Sequence, residues 1–257
     1  MNSFLHSMWL VALLGFCGQA SAAIVISENF NHIAGSLEAD ASWGRLTGVA
    51  GGIVVENGVA VIGQGTDDLS RAFGTTLSPL FFGLDVRVSD AAASAHVFGL
   101  RDSNSFAARF FLDDVSGGYQ LGVNSGGSGS AAGAFAAERL LLQRTYRLVG
   151  YADGLGRVSA WIDPISTDVL TPDVTFFNAD VGEFESFYLR QGDAWQNNGA
   201  SWTADNLVVA TTFAEVVPVA VPEPAGWVAL LSTGIGLGMR YRGNRGSRLT
   251  KQLRSPA

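Results

Sequence analysis

Ile53-Val54-Val55-Glu56-Asn57-Gly58-Val59-Ala60-Val61-Ile62 reads as two short β-branched runs around an Asn-Gly pair. Val and Ile fit a pleated, half-buried surface, which favours strands. Asn-Gly favours a type I′ turn, in which both central residues need φ > 0. The stretch predicts a tight antiparallel hairpin. The same alternation continues outward from it. Phe82, Leu84, Val86 and Val88 alternate with Gly83, Asp85 and Arg87, and Phe106, Ala108, Phe110 and Leu112 with Ala107, Arg109, Phe111 and Asp113. Tyr119, Leu121 and Val123 continue the series, and helical periodicity is nearly absent.

Further strands follow towards the C-terminus. Tyr146 and Leu148 precede a turn at Asp153-Gly154, and Val158, Ala160 and Ile162 form a strand that stops at Asp163-Pro164. Residues 186–190 and 202–210 read as two more. Many short strands with recurring turn signals predict an all-β, two-sheet sandwich. No long crossover helix is readable, so the sheets should be antiparallel. Residues 125–137 are rich in Gly, Ala and Ser and read as a flexible loop, with residues 138–143 as a loop leading into a strand.

Charge is unevenly placed along the 257 residues, whose formal net charge is -7. Residues 23–224 hold 10 Arg, no Lys and 23 acidic residues, a net charge of -13. The stretch from Arg240 adds five Arg and one Lys with no acid. An acidic body repels nucleic acid and anionic membranes, because phosphate binding needs clustered cations. The one cysteine, Cys17, lies in an apolar segment near the N-terminus, so a body that starts after it has no disulfide and no thiolate chemistry.

Residues 8–16 form a short apolar run that ends in Ala20-Ser21-Ala22. A run this short followed by small residues at Ala20 and Ala22 predicts a signal peptide over residues 1–22, cut by signal peptidase after Ala22. Two other readings are a buried helix of the mature fold and a lipoprotein anchor at Cys17. The second conflicts with the large Phe16 before the cysteine.

The other end has three parts: Val221-Pro222-Glu223-Pro224, an uncharged apolar run over residues 225–239, and an Arg-rich tail over residues 240–257. As a helix the run would span about 22 Å, short of a hydrocarbon core of about 30 Å. Snorkelling by Arg240 and Arg242 and local thinning close that gap. The cationic tail should stay cytoplasmic. Pro222 and Pro224 lack an N–H and have fixed φ, which keeps the motif extended.

This arrangement, with Pro222, Glu223 and Pro224 as its motif, resembles the PEP-CTERM sorting signal of Gram-negative bacteria. The resemblance implies an exosortase-like membrane peptidase that reads the motif, and a setting of exopolysaccharide and biofilm. It implies export through the inner membrane, transient anchoring by the transmembrane helix, and then cell-surface or secreted residence. A plain C-terminal membrane anchor is the alternative. The expected organisation is a signal peptide at 1–22, a β-sandwich domain at 23–217 and a sorting segment at 218–257.

Within the body, Ser27-Glu28-Asn29-Phe30, Tyr146-Arg147-Leu148-Val149-Gly150-Tyr151, Gly156-Arg157-Val158-Ser159-Ala160-Trp161-Ile162-Asp163 and Asp205-Asn206-Leu207 follow one another. Their order resembles a concanavalin A-like (laminin G-like) jelly roll. Such folds commonly pair their first and last strands and carry one structural Ca²⁺, which makes Glu28 and Asp205 the metal candidates the resemblance implies.

Catalytic signals are sparse. His32 and His96 are the histidines after residue 22; neither belongs to an H-E-x-x-H motif, and no Ser lies in G-x-S-x-G. Both read as structural or surface residues. Glu183-Phe184-Glu185 would put two carboxylates on one strand face, but it lacks the central Asp and third acid of the E-x-D-x-E hydrolase pattern. Asp67-Asp68 and Asp113-Asp114 read as turn residues. In the loop from Gln191 to Asn198, Trp195 offers a stacking plate, with Asp193 and Asn197 as polar partners for sugar hydroxyls. Trp43, Trp161 and Trp202 read as packed. The function expected is a non-enzymatic surface or matrix protein that binds glycan. The alternative is a polysaccharide-active hydrolase or lyase of the concanavalin A-like class, and a purely structural coat protein is not separable from the first by sequence.

Overall fold

The computed structural model describes residues 22–63, 65–91, 95–103, 105–126, 131–178, 182–191 and 201–218. The expected signal peptide up to residue 21 and the expected sorting segment from residue 219 lie outside them. Among the described residues, sixteen strands follow in chain order. The first six are β1 (Ile24–Glu28), β2 (Gly35–Ser36), β3 (Gly44–Thr47), β4 (Ile53–Glu56), β5 (Val59–Ile62) and β6 (Asp68–Leu77). Next come β7 (Leu80–Asp90), β8 (Ala95–Arg101), β9 (Phe106–Val115), β10 (Gly118–Ser125) and β11 (Ala134–Leu140). The last are β12 (Thr145–Ala152), β13 (Arg157–Ile162), β14 (Val174–Phe177), β15 (Phe184–Arg190) and β16 (Ser201–Ala210), followed by a one-turn helix, α1 (Phe213–Val216).

The strands form two antiparallel sheets. One has nine strands, ordered β14-β13-β12-β7-β16-β5-β4-β2, with β1 also on β16. The other has seven, ordered β11-β10-β9-β8-β15-β6-β3. The expected hairpin is β4–β5, with Asn57 at φ 53° and Gly58 at φ 79°, the signs a type I′ turn requires. The first and last strands pair, Glu28 opposite Leu207. Among the described residues no helix is long and apolar enough to cross a membrane.

The alternating residues of β7 fix the sandwich. Phe82, Leu84, Val86 and Val88 are fully buried and face the seven-stranded sheet. The Phe82 ring meets Phe110 edge-on at 4.7 Å and Phe187 at 5.2 Å, while Phe98 stacks on Phe110 at 5.6 Å. Burying each such side chain contributes about 1.5–3 kcal/mol. A smaller apolar cluster lies on the opposite, outward face of the nine-stranded sheet, where Phe213, Val216 and Val217 pack over Val149, Trp161 and Ala210.

Three local expectations change. Residues 134–140, read as parts of a flexible loop and of a loop leading into a strand, are β11. Only Ala136 and Leu140 are buried in this edge strand, so no clear alternation marked it; its order comes from pairing with β10. Asp113 and Asp114 lie inside β9, opposite Gln120 and Tyr119, rather than in a turn. Asp67 is fully buried ahead of β6 and Asp68 opens that strand. Asp67 is held by long-range bonds: its carboxylate accepts the Gly52 N–H at 2.9 Å, and its own N–H donates to the Gln191 amide at 2.8 Å.

Candidate functional site

Glu28 ends β1 with its side chain buried, and the chain then turns sharply through Phe30, whose φ is 50°. That bend returns His32 to Glu28. Oε1 of Glu28 accepts the Phe30 N–H at 2.8 Å and lies 3.0 Å from His32 Nε2. Its Oε2 is bonded to Arg71 Nη1. On the far side, His32 Nε2 lies 3.3 Å from Asp40 Oδ2. Asp40 Oδ1 accepts the Ser42 N–H at 2.9 Å, which holds the Asp40 carboxyl below the usual range. His32 and Asp40 line an open depression of about 570 Å³. Glu28 thus turns to His32, Asp40 and Arg71. Asp205 accepts the Asn206 N–H at 2.7 Å, and burial raises its pKa, with the Asp85 and Glu28 charges adding to the rise.

A second recess lies on the outward face of the nine-stranded sheet. The registers of β7, β12 and β13 set Phe81 opposite Tyr151 and Tyr151 opposite Ser159. Phe81 and Tyr151 rings sit 4.7 Å apart, and Trp161 lies 6.4 Å from Phe81. The Arg157 guanidinium lies over the Tyr151 ring at 5.1 Å. Ser159 and Thr175 hydroxyls bond each other at 2.9 Å. The loop after β13 closes one side, anchored by Trp161 Nε1 donating to the Asp168 carbonyl at 2.8 Å. The recess measures about 350 Å³, and Leu170 on its edge is 87% exposed. Aromatic faces with hydroxyl and guanidinium groups around them suit a ligand with both C–H faces and hydroxyls.

The outward face of the seven-stranded sheet carries a third group. Arg190 Nη1 lies 2.6 Å from His96 Nε2, and His96 Nδ1 lies 3.2 Å from the Tyr188 hydroxyl. A guanidinium only donates, so Nε2 accepts and Nδ1 carries the proton. The imidazole is therefore neutral. Burial, then the Arg190 and Arg109 charges, push its pKa down to about 3. Burial likewise raises the Tyr188 phenol. Arg190 also meets Asp68 at 3.2 Å, and Asp68 accepts the Thr47 hydroxyl at 2.7 Å. Phe106 packs on both His96 and Tyr188.

The residues singled out in the sequence are scattered over these places. Trp195, Asp193 and Asn197 lie outside the described residues, as do Pro222, Glu223, Pro224 and Ala20; Ala22 is the first described residue. Gln191, at the head of the expected sugar loop, is fully buried and braces Gly52 and Asp67. Glu183 is exposed and precedes β15, and Glu185 within it is half-buried. Trp43, Trp161 and Trp202 are buried as expected, but Trp161 belongs to the outward cluster, not the core between the sheets. The aromatic recess was not foreseen. Its one sequence signal is that Phe81 and Tyr151 occupy the outward phase of strands whose inward phase is apolar.

No family model matches the chain, and no curated relative does. Among solved structures it is similar to a glycosyl hydrolase family 16 protein from Mycobacterium smegmatis, at 13% identity, covering 73% of this chain and 100% of that one with a TM-score of 0.46. It is also similar to a carbohydrate-binding module, CBM66, from Bacillus subtilis, at 12% identity over 65% and 93% with a TM-score of 0.45. A third similar structure is a SAP-like pentraxin from Limulus polyphemus, at 16% identity over 55% and 70% with a TM-score of 0.38.

Proposed function

We propose that the chain is an exported, non-enzymatic surface protein whose sandwich binds carbohydrate. The observation that carries the binding reading is the recess of Phe81, Tyr151 and Trp161 with Arg157, Ser159 and Thr175 around it. Pyranose rings present C–H faces that pack on aromatic rings and hydroxyls that pair with such neighbours. Pairing of β1 with β16 supports a concanavalin A-like jelly roll as the finer fold. The Pro222-Glu223-Pro224 motif, the apolar run and the Arg tail support sorting to the surface by an exosortase-like peptidase, with exopolysaccharide as the ligand class at hand.

A glycan array probed with the exported protein tests the binding reading. Tyr151→Ala should weaken the strongest wild-type signal about tenfold, a loss of about 1.4 kcal/mol, and Arg157→Ala should weaken it less. A wild-type protein that binds no glycan, or a Tyr151→Ala variant that binds equally well, removes the reading.

A further inference from the structure

We propose that Glu28, His32 and Asp40 form a binding site for a divalent first-row transition ion of the zinc type. The three side chains offer one nitrogen and two oxygens whose ligating atoms lie within 4.8 Å of one another. At bond lengths of about 2.0–2.2 Å, neighbouring ligands around one ion stand about 2.8–3.6 Å apart in tetrahedral or octahedral geometry. The separations found are 3.0 Å from Glu28 Oε1 to His32 Nε2 and 3.3 Å from His32 Nε2 to Asp40 Oδ2. Both match the edges of a coordination polyhedron, and the third pair of ligand atoms, on Glu28 and Asp40, lies within 4.8 Å.

The surroundings orient both carboxylates towards the His32 ring nitrogen. Arg71 holds Glu28 Oε2, and Oε1, which also accepts the Phe30 N–H, faces His32. The Ser42 N–H holds Asp40 Oδ1 and leaves Oδ2 towards the same ring nitrogen. Bonds of this outer kind fix ligand orientation and raise metal affinity. Two carboxylates and one arginine leave a net charge of -1 against a dication. The imidazole nitrogen selects a borderline ion over Ca²⁺, which takes oxygen ligands. An independent observation is the depression of about 570 Å³ against His32 and Asp40. It gives an ion room for water or a ligand in its remaining positions, so the site is open on one side.

The test uses the exported protein without a polyhistidine tag, stripped with chelator, and titrated with Zn²⁺ in a calorimeter and with Co²⁺ in a spectrophotometer. One Zn²⁺ should bind, Tm should rise, and Co²⁺ should give a visible d–d band. His32 is 32% exposed at its side chain, so His32→Ala should fold, and it should lose the band and weaken Zn²⁺ at least tenfold. Asp40→Asn, also tolerated at the surface, should weaken Zn²⁺ without abolishing it. Absence of wild-type Zn²⁺ binding at millimolar concentration overturns the proposal. So does equal binding by both variants, or a response to Ca²⁺ alone.

Discussion

Arg147 donates twice to the carbonyl oxygen of Val216, from Nη2 at 2.7 Å and from Nε at 3.1 Å. Its Nη1 reaches Asp85 at 3.1 Å and the Asn206 carbonyl at 2.6 Å. One guanidinium therefore ties α1, β7 and β16 together on the outward face of the nine-stranded sheet. Gly83 makes room for it, since a Cβ there would stand 2.3 Å from Nη2 and 2.5 Å from the Val216 oxygen. Arg147→Ala should cost about 3 kcal/mol, because it strands a buried carbonyl and a carboxylate. Arg147→Lys should recover only part of that, having no planar fork. Urea midpoints of the two variants check the order.

His96 predicts a pH dependence. Unfolded, the imidazole takes up a proton near pH 6.5; folded, it does so only near 3. Between those values the unfolded chain binds more protons. Stability is then fully present above about pH 6.5 and is lost as pH falls towards 3, by at most about 1.4 kcal/mol per pH unit. His96→Gln should flatten this slope between pH 7 and 4.5. An unchanged slope would mean that carboxylates alone set the acid limb.

Gly150 stands directly opposite Phe82 across β12 and β7, and the Phe82 ring fills the space a side chain would take. A Cβ at Gly150 would lie 2.3 Å from the Phe82 ring and 2.7 Å from Phe110. Gly150→Ala should destabilise by about 1–3 kcal/mol through overpacking. The double variant Gly150→Ala/Phe82→Leu should be more stable than the sum of its parts, a coupling that a double-mutant cycle measures.

The sorting reading has its own test. Replacing Pro222, Glu223 and Pro224 with alanine leaves the apolar run and the Arg tail intact. The variant should accumulate in the inner membrane, cut after Ala22 but whole at its C-terminus. Mass spectrometry of the wild-type surface form should find no peptide from residues 240–257. Finding those peptides, or normal surface display of the variant, leaves a plain membrane anchor.

Strand identity was legible wherever one face is buried and the other wet. In β7 the inward residues are all apolar, and Asn57-Gly58 spells its turn locally. Edge strand β11 was not legible, because two buried side chains in seven residues leave no period to read. Asp67 misled for a different reason. Its partners, Gly52 and Gln191, lie 15 and 124 residues away, and nothing beside it in sequence announces them. The same holds for the candidate sites. Glu28 could be singled out as an acid on the first strand, but its neighbours depend on the left-handed bend at Phe30. The aromatic recess depends on the registers of three strands, and each ring alone reads as core.

The placement of β16 sets the order in which the sheet can be completed. Its first half pairs with β5, its second half with β1, and its other edge with β7 along nearly the whole length. All three partners are made before residue 91, while β16 starts at residue 201. During synthesis from the N-terminus, three strands wait with unsatisfied edges until the last one arrives. Contact order is correspondingly high and folding correspondingly slow, and the waiting edges are open to pairing with other chains. A chain stopped before Ser201 lacks the strand that joins the two halves of its larger sheet, and it leaves those edges open to self-association.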